Sequence, residues 1–220
     1  MTDILTVKTY TPDESDFDKI RAFTRREFSE DELYVFEATL CDNDIDRDFE
    51  KFSDSALSAL QKLFIGKTGI KDHSMKAQDK TARIFDTRLE KTAGRTTADG
   101  ESYIALKAKA YMVRTPENES LIKDIDAGIK KEVSVSCSAK KRICSVCGSD
   151  RSESYCGHIA GKTYGGKLCY TILDDVSDAY EFSFVAVPAQ RNAVVEKAFD
   201  TEKDGIMSED IIKKLKTGGT

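Results

Sequence analysis

Apolar and hydroxyl residues alternate along residues 133–139, where the sequence reads VSVSCSA. Valine, cysteine and alanine occupy one parity, and Ser134, Ser136 and Ser138 occupy the other. Alternation with a period of two and β-branched residues predicts a strand that turns one face to the core. The default interpretation of the serines is a solvated face. A second interpretation makes Ser134 a nucleophile, and it depends on residues elsewhere in the chain.

The same patterns predict further helices and strands. Apolar residues at helical spacing predict a helix that Thr11, Pro12 and Glu14 would begin, and another that Ser53 caps and Gly66 ends. A third helix would open at 115–116, with a buried face formed by Leu121, Ile122, Ile125 and Ile129. Strands are predicted at 33–41, 81–89, 102–113, 170–173 and 180–187, with a hairpin loop at 91–101.

This order of elements predicts the fold class and the domain organisation. Strands separated by helices, without a glycine-rich βα turn, indicate an α+β domain with a mostly antiparallel sheet or small β-barrel flanked by helices. The N-terminal helical segment would span 1–32 and the main domain 33–199, with a small insertion at 143–169. Residues 192–206 have the composition of a linker, and 200–220 would contain linker and a C-terminal helix that begins at Ser208.

Composition excludes several classes of protein. The 220 residues are 40% hydrophobic and 33% charged, with a net charge of −5 and a pI near 5.3, which gives no electrostatic case for general nucleic-acid binding. No apolar run approaches the roughly 20 residues of a membrane span, and no secretory signal is visible. The acidic run after Cys41 resembles a calcium loop, but Arg47 and Ser53 stand where that loop needs its glycine and its closing glutamate.

The six cysteines are predicted to be reduced. Three of them, together with one histidine, have the spacing of a metal site. Cys144-x2-Cys147-x8-Cys156-x-His158 offers four ligands that suit tetrahedral zinc. Four protein ligands leave no open position, so the sequence predicts a structural Zn²⁺ rather than a catalytic one. Cys169 is the alternative if His158 is not the fourth ligand.

A zinc knuckle that binds nucleic acid is a rival interpretation of this insertion. The basic residues Lys140, Lys141, Arg142 and Arg151 favour it. The acidic chain and the lack of a second finger in the sequence argue against it.

His73 is the only histidine outside the cysteine cluster, and it lies in the sequence Asp72-His73-Ser74. A histidine with its ordinary pKa of about 6.5 can accept a proton from a serine near neutral pH. Glu181 shares strand parity with Ser183. It would either face solvent or orient the histidine, as the acid of a catalytic triad does.

Three motifs in order, around His73, Ser134 and Glu181, carry a family resemblance. They are DHS at 72–74, EVSVS at 132–136, and EFSFV at 181–185 followed by PAQ at 188–190 and Ala193. Together, over roughly residues 33–199, they resemble the capsid-maturation (prohead) serine proteases of tailed bacteriophages, which share a fold with the herpesvirus assemblins.

The resemblance implies a serine endopeptidase with His73 as base and Ser134 as nucleophile. Ser136 stands where the family usually has a glycine, and the third member would be Glu181 or its rival Asp178. The family works inside the assembling prohead in the host cytoplasm, on scaffold and major capsid proteins and often on itself. The insertion would be a zinc knuckle that some relatives carry.

Two other functions stay open at this stage. An inactive capsid-assembly or scaffolding protein of the same fold is the main alternative, and a zinc-dependent nucleic-acid-binding module is the other. Oligomers are compatible with any of them, whereas a membrane partner is not expected.

Overall fold

A computed structural model of the chain describes residues 12–198, which form three α-helices and ten β-strands. The helices are α1 (Glu14–Arg21), α2 (Asp54–Leu63) and α3 (Pro116–Asp126). The strands are β1 (Leu33–Asp42), β2 (Glu50–Phe52), β3 (Thr68–Lys71), β4 (Ala82–Thr96), β5 (Ser102–Val113), β6 (Val133–Cys144), β7 (Thr163–Tyr164), β8 (Lys167–Leu168), β9 (Thr171–Phe184) and β10 (Val194–Ala198).

Eight of the described strands form one mostly antiparallel sheet, and this confirms the predicted α+β class. Their order is β10-β1-β5-β4-β3-β9-β2, and β6 pairs with the other edge of β9. Only β2 and β3 run parallel to their neighbour β9. Within residues 12–198 the sheet does not close into a continuous barrel. Its ends meet at an isolated bridge between Glu132 and Val194, beside a hydrogen bond from Val133 N to Ala193 O.

The main core lies between the inner face of this sheet and helices α2 and α3. Its largest fully buried members include aromatic side chains of β1, of β9 and of the residue that follows α2: Tyr34, Phe36, Phe182 and Phe64. A second, smaller cluster packs α1 against the other face of β1, β4 and β5. The long strands β6 and β9 therefore turn alternate residues inward, and the residues between them are available for a site on the outer face.

Several predicted elements differ in the structure. Asp13, not Thr11, caps α1, and it forms a capping box with Asp16 because both side chains reach the other's backbone N–H. Ser53 caps α2 as predicted. Ile129 was predicted to lie on the buried face of α3, but the helix ends at Asp126 and Ile129 is exposed.

Three strand predictions were also incomplete. The predicted strands at 170–173 and 180–187 are one continuous strand, β9, and β4 extends into the predicted hairpin loop. The predicted linker contains β10, which pairs with β1. The whole predicted C-terminal segment 200–220, with its helix, and Thr11 lie outside the described residues. None of the described helices has the length and apolar character that a membrane crossing requires.

Candidate active site and metal centre

The outer face of β6 and β9 brings the predicted catalytic residues to one place. In the antiparallel pairing, Ser134 lies opposite Ser183, and Ser136 lies opposite Glu181. The neighbours of these residues on the strand, Val133 and Phe182 among them, turn into the core. Opposed residues on one face of an antiparallel pair have Cβ atoms about 4.5–5.5 Å apart. Two serines of β6 therefore lie directly beside Glu181 and Ser183.

His73 reaches this face from the tight turn that follows β3. Asp72 and His73 both have positive φ angles, 48° and 53°. The backbone N–H of Ser74 donates a hydrogen bond to Lys71 O at 2.9 Å. These are the features of a type I′ turn, whose left-handed backbone Asp and His tolerate better than most residues. The turn folds the imidazole back over β9. The backbone N–H of His73 donates to Ser183 Oγ at 3.0 Å and fixes the turn there.

Glu181 is a buried carboxylate held by two polar neighbours. Only 2% of the residue is exposed. Its Oε2 accepts a hydrogen bond from Ser183 Oγ at 2.7 Å, and its Oε1 lies 2.8 Å from His73 Nδ1. A carboxylate only accepts hydrogen bonds, so this network assigns the proton to His73 Nδ1. In that neutral tautomer Nε2 is the ring nitrogen without a proton.

The serine that contacts the histidine is Ser136. Its Oγ lies 3.2 Å from His73 Nδ1, the same nitrogen that faces Glu181. Among residues 12–198, Ser134 Oγ forms no hydrogen bond, although Ser134 lies on the same face, two residues away. Ser136 stands where the resembled family usually has a glycine, a departure that left the choice of nucleophile open, and Ser183 had no predicted role. The parity that Ser183 shares with Glu181 was the signal for its position.

Asp178, the rival to Glu181, lies away from the imidazole. It lies opposite Ser138 in the pairing of β6 with β9. Its Oδ1 forms an ion pair with Lys67 Nζ at 3.2 Å. Cys137 is a further nucleophilic side chain on β6, next to Ser136. Burial, and then the charge of Glu50, raise the pKa of its thiol to about 11, so it stays protonated and unreactive at neutral pH.

The four predicted metal ligands also lie together, at the far end of β6. The ligand atoms of Cys144, Cys147, Cys156 and His158 are all within 4.8 Å of one another. His158 Nδ1 is 3.4 Å from the Cys156 sulfur and 3.8 Å from the Cys144 sulfur. Around zinc, with bonds of about 2.0–2.3 Å at tetrahedral angles, neighbouring ligand atoms would lie about 3.5–3.8 Å apart. The cluster could hold a metal ion.

The local backbone and charges explain why these cysteines converge. Gly148 has φ 73°, and its N–H donates to Cys144 O at 2.8 Å, which closes the turn of the Cys-x2-Cys segment. Burial alone would raise the pKa of Cys144, but hydrogen bonds from the Cys147 backbone and the Arg151 side chain lower it to about 7. The pKa of Cys147 is also lowered to about 7, first by its hydrogen bond with Ser149. Thiolates are the form that binds metal.

Cys169 and Arg151 form a second layer around the cluster. Cys169 is fully buried and lies outside the four-residue group. Arg151 donates to its sulfur at 3.2 Å and to His158 O at 3.0 Å. Arg142 forms an ion pair with Glu50. Two of the four basic residues that favoured nucleic-acid binding are therefore engaged within the protein.

Comparison of the chain with protein-family models gives no match, and neither does comparison with curated proteins or with solved structures.

Proposed function

We propose that this chain is a serine endopeptidase similar to the capsid-maturation proteases of tailed bacteriophages, with His73 as general base and Ser134 as nucleophile. The observation that carries the proposal is the 2.8 Å contact between the buried Glu181 carboxylate and His73 Nδ1, beside the serine face of β6. A histidine oriented by a carboxylate next to a serine hydroxyl is the arrangement that activates serine on unrelated folds.

The choice of Ser134 over Ser136 follows from the occupancy of the imidazole. Nδ1 already faces both Glu181 and Ser136, so a proton from Ser136 would have to reach a nitrogen that carries one. Nε2 is the nitrogen free to accept a proton, and the His73 side chain is 43% exposed. Ser134 is the neighbouring serine on the same face, and catalytic hydrogen bonds often tighten only when substrate binds. Ser136 is then a positioning residue that shares the Nδ1 proton.

The reaction that this arrangement supports is acyl transfer through a serine ester. Ser134 Oγ attacks the carbonyl carbon of the peptide bond while its proton moves to His73 Nε2. The Glu181 carboxylate stabilises the imidazolium, which then gives this proton to the leaving nitrogen as the C–N bond breaks. A water molecule attacks the resulting ester with the same base, and it releases the carboxylic acid and the free serine.

An open strand edge favours a peptide as the substrate. Among the described strands β6 pairs only with β9, apart from isolated bridges at Glu132 and Ile143. Val133 N donates away from β9, to Ala193 O, and the alternation of an antiparallel ladder directs the N–H and C=O of Val135 the same way. An extended peptide can add to such an edge through main-chain hydrogen bonds. At Val135 it would pass both serines.

The biological substrates follow from the resemblance alone. They would be the scaffold and major capsid proteins of the assembling prohead, and the chain itself where self-cleavage occurs. The motifs that support this are those around His73, Ser134 and Glu181.

The cysteine–histidine cluster would hold a structural Zn²⁺ in this proposal. Three sulfurs and one imidazole nitrogen complete a tetrahedral set, so no position remains for a substrate. The cluster follows β6 directly, since Cys144 is the last residue of that strand. A metal bound there would fix the end of the strand that carries both serines.

The test is co-expression of the chain with the scaffold and capsid proteins encoded beside it, followed by intact-mass analysis. Fragments are expected with wild type and with Ser138→Ala, a control on the same face of β6, and not with Ser134→Ala. Identical masses for wild type and Ser134→Ala would reject the protease and favour an inactive assembly protein.

A further inference from the structure

A cleft of about 300 Å³ lies beside the serine face of β6 and has an acidic wall. Its lining includes Ser134 and Ser136 of β6, Asp46 and Asp48 from the segment before β2, and Glu50, the first residue of β2. The catalytic mechanism above uses none of these three carboxylates. They lie where the side chains of a peptide bound along β6 would pass.

The charges of this wall are only partly neutralised within the protein. Glu50 forms an ion pair with Arg142, which also lines the cleft. Asp46 is half-buried, and its Oδ1 accepts hydrogen bonds from the backbone N–H groups of Asp48, at 2.9 Å, and Glu50, at 2.8 Å. Within the part of the chain that the structure describes, the exposed Asp48 carboxylate forms neither a hydrogen bond nor an ion pair. Two negative charges therefore remain without a cation.

The burial of Asp46 adds a reason for a cation to bind. Burial raises the pKa of the Asp46 carboxyl because the charged form loses solvent, and a nearby positive charge would restore the ionised form. A metal ion fits less well than an organic cation. Within residues 12–198, the cysteine–histidine cluster is the only group whose ligand atoms lie close enough together to hold a metal ion.

Gln190 supplies an independent sign of a missing ligand in the same cleft. Only 6% of the residue is exposed, and its Oε1 accepts a hydrogen bond from Asp42 N at 2.8 Å. Its Nε2 is buried and has no hydrogen-bond partner among the described residues. A buried donor without an acceptor is unfavourable, and a peptide carbonyl in the cleft would satisfy it.

We infer that this cleft is a specificity site for a lysine or arginine side chain of the bound peptide, with Asp46 and Asp48 as its anionic partners. Gln190 Nε2 donates to a carbonyl of the same peptide. The inference rests on the proposed function, because it assumes a peptide along β6. It adds the chemical class of the side chain that this protein selects.

The test measures binding separately from cleavage. Fluorescein-labelled octapeptides of alanine, serine and valine carry lysine, or norleucine of nearly the same length, at each interior position in turn. Their affinity for Ser134→Ala is measured by fluorescence anisotropy, so that cleavage does not interfere. At one position we expect lysine to bind about tenfold more tightly than norleucine, because two partly exposed ion pairs each contribute modestly.

Matched variants assign the effect to the cleft. Asp46→Asn with Asp48→Asn keeps the oxygen that accepts the backbone hydrogen bonds, and it should abolish the preference for lysine. Glu27→Gln with Asp31→Asn makes the same charge change at exposed positions near the other end of β1, and it should leave the preference intact. Gln190→Met removes the donor without adding a charge, so it should weaken both peptides without removing the preference.

The outcomes separate this inference from the proposed function. Equal affinity for lysine and norleucine peptides, a preference that survives the loss of Asp46 and Asp48, or no binding of any peptide would overturn the inference. Cleavage of the same peptides by wild type, read by mass spectrometry, tests the protease alone. Selective binding without cleavage would support the cleft and reject the enzyme.

Discussion

Replacing Glu181 by glutamine tests the part of the site that the geometry defines most closely. Glu181 is 2% exposed, so no solvent can take its place on His73 Nδ1. With the amide NH₂ toward the imidazole, Nδ1 must accept and Nε2 must carry the proton, which removes the base. With the amide oxygen toward it, the tautomer is kept but the imidazolium loses its negative partner. In serine hydrolases the corresponding change costs about 10⁴-fold in rate.

We therefore expect Glu181→Gln to lower the reactivity of the serine by about 10³-fold or more, equal to about 4 kcal/mol in activation free energy. The assay is the rate of covalent labelling by a fluorophosphonate, followed by intact mass, because it needs no knowledge of the substrate. Asp178→Asn is the control, since Asp178 lies three residues away on β9 and pairs with Lys67. A labelling rate of Glu181→Gln within about threefold of wild type would refute the assignment. Loss of labelling in Asp178→Asn instead would transfer the role to that residue.

The remaining predictions concern the supports of the site. Ser183→Ala removes a hydroxyl that contacts both Glu181 and the backbone N–H of His73. We expect the free energy of unfolding in urea to fall by about 1–3 kcal/mol and the labelling to become slower. An unchanged labelling rate would contradict this role. Gly69→Ala would place a Cβ 2.5 Å from the Phe182 ring, so it should cost about 1–3 kcal/mol in unfolding free energy, and wild-type stability would show that the packing is looser. Elemental analysis of the purified chain should give one zinc, a strong chelator should lower Tm, and Cys156→Ser should lower both zinc content and Tm; a metal-free chain with unchanged Tm would reject the metal site.

The sequence predicted the outer face of β6 because alternation is a local property. Val133 turns inward and Ser134 and Ser136 turn outward, as the period of two required. The convergence of the metal ligands was also predictable, since their spacing lies within one short insertion. In contrast, the end of α3 before Ile129 depends on a C-terminal turn that the apolar spacing did not indicate.

The contact between Ser136 and His73 could not be predicted in the same way. It depends on the register between β6 and β9, which lie far apart in the chain, and on the left-handed turn at His73. Each is set by long-range pairing. A one-residue shift in register would place Val135 or Cys137 opposite Glu181, and a two-residue shift would place Ser134 or Ser138 there. The role of Ser183 was missed for the same reason, because its two partners come from β9 and from the turn after β3.

The most direct test of the central claim is to locate a fluorophosphonate adduct within the chain. Trypsin should release Glu132–Lys140, which contains Ser134, Ser136 and Ser138, and fragment ions of that peptide distinguish the three. We expect an adduct on Ser134 that is absent from His73→Ala and that forms, at a reduced rate, in Ser136→Ala. An adduct on Ser136 would show that the contact at Nδ1 is the productive one, and no adduct on this peptide would contradict the assignment of a serine hydrolase.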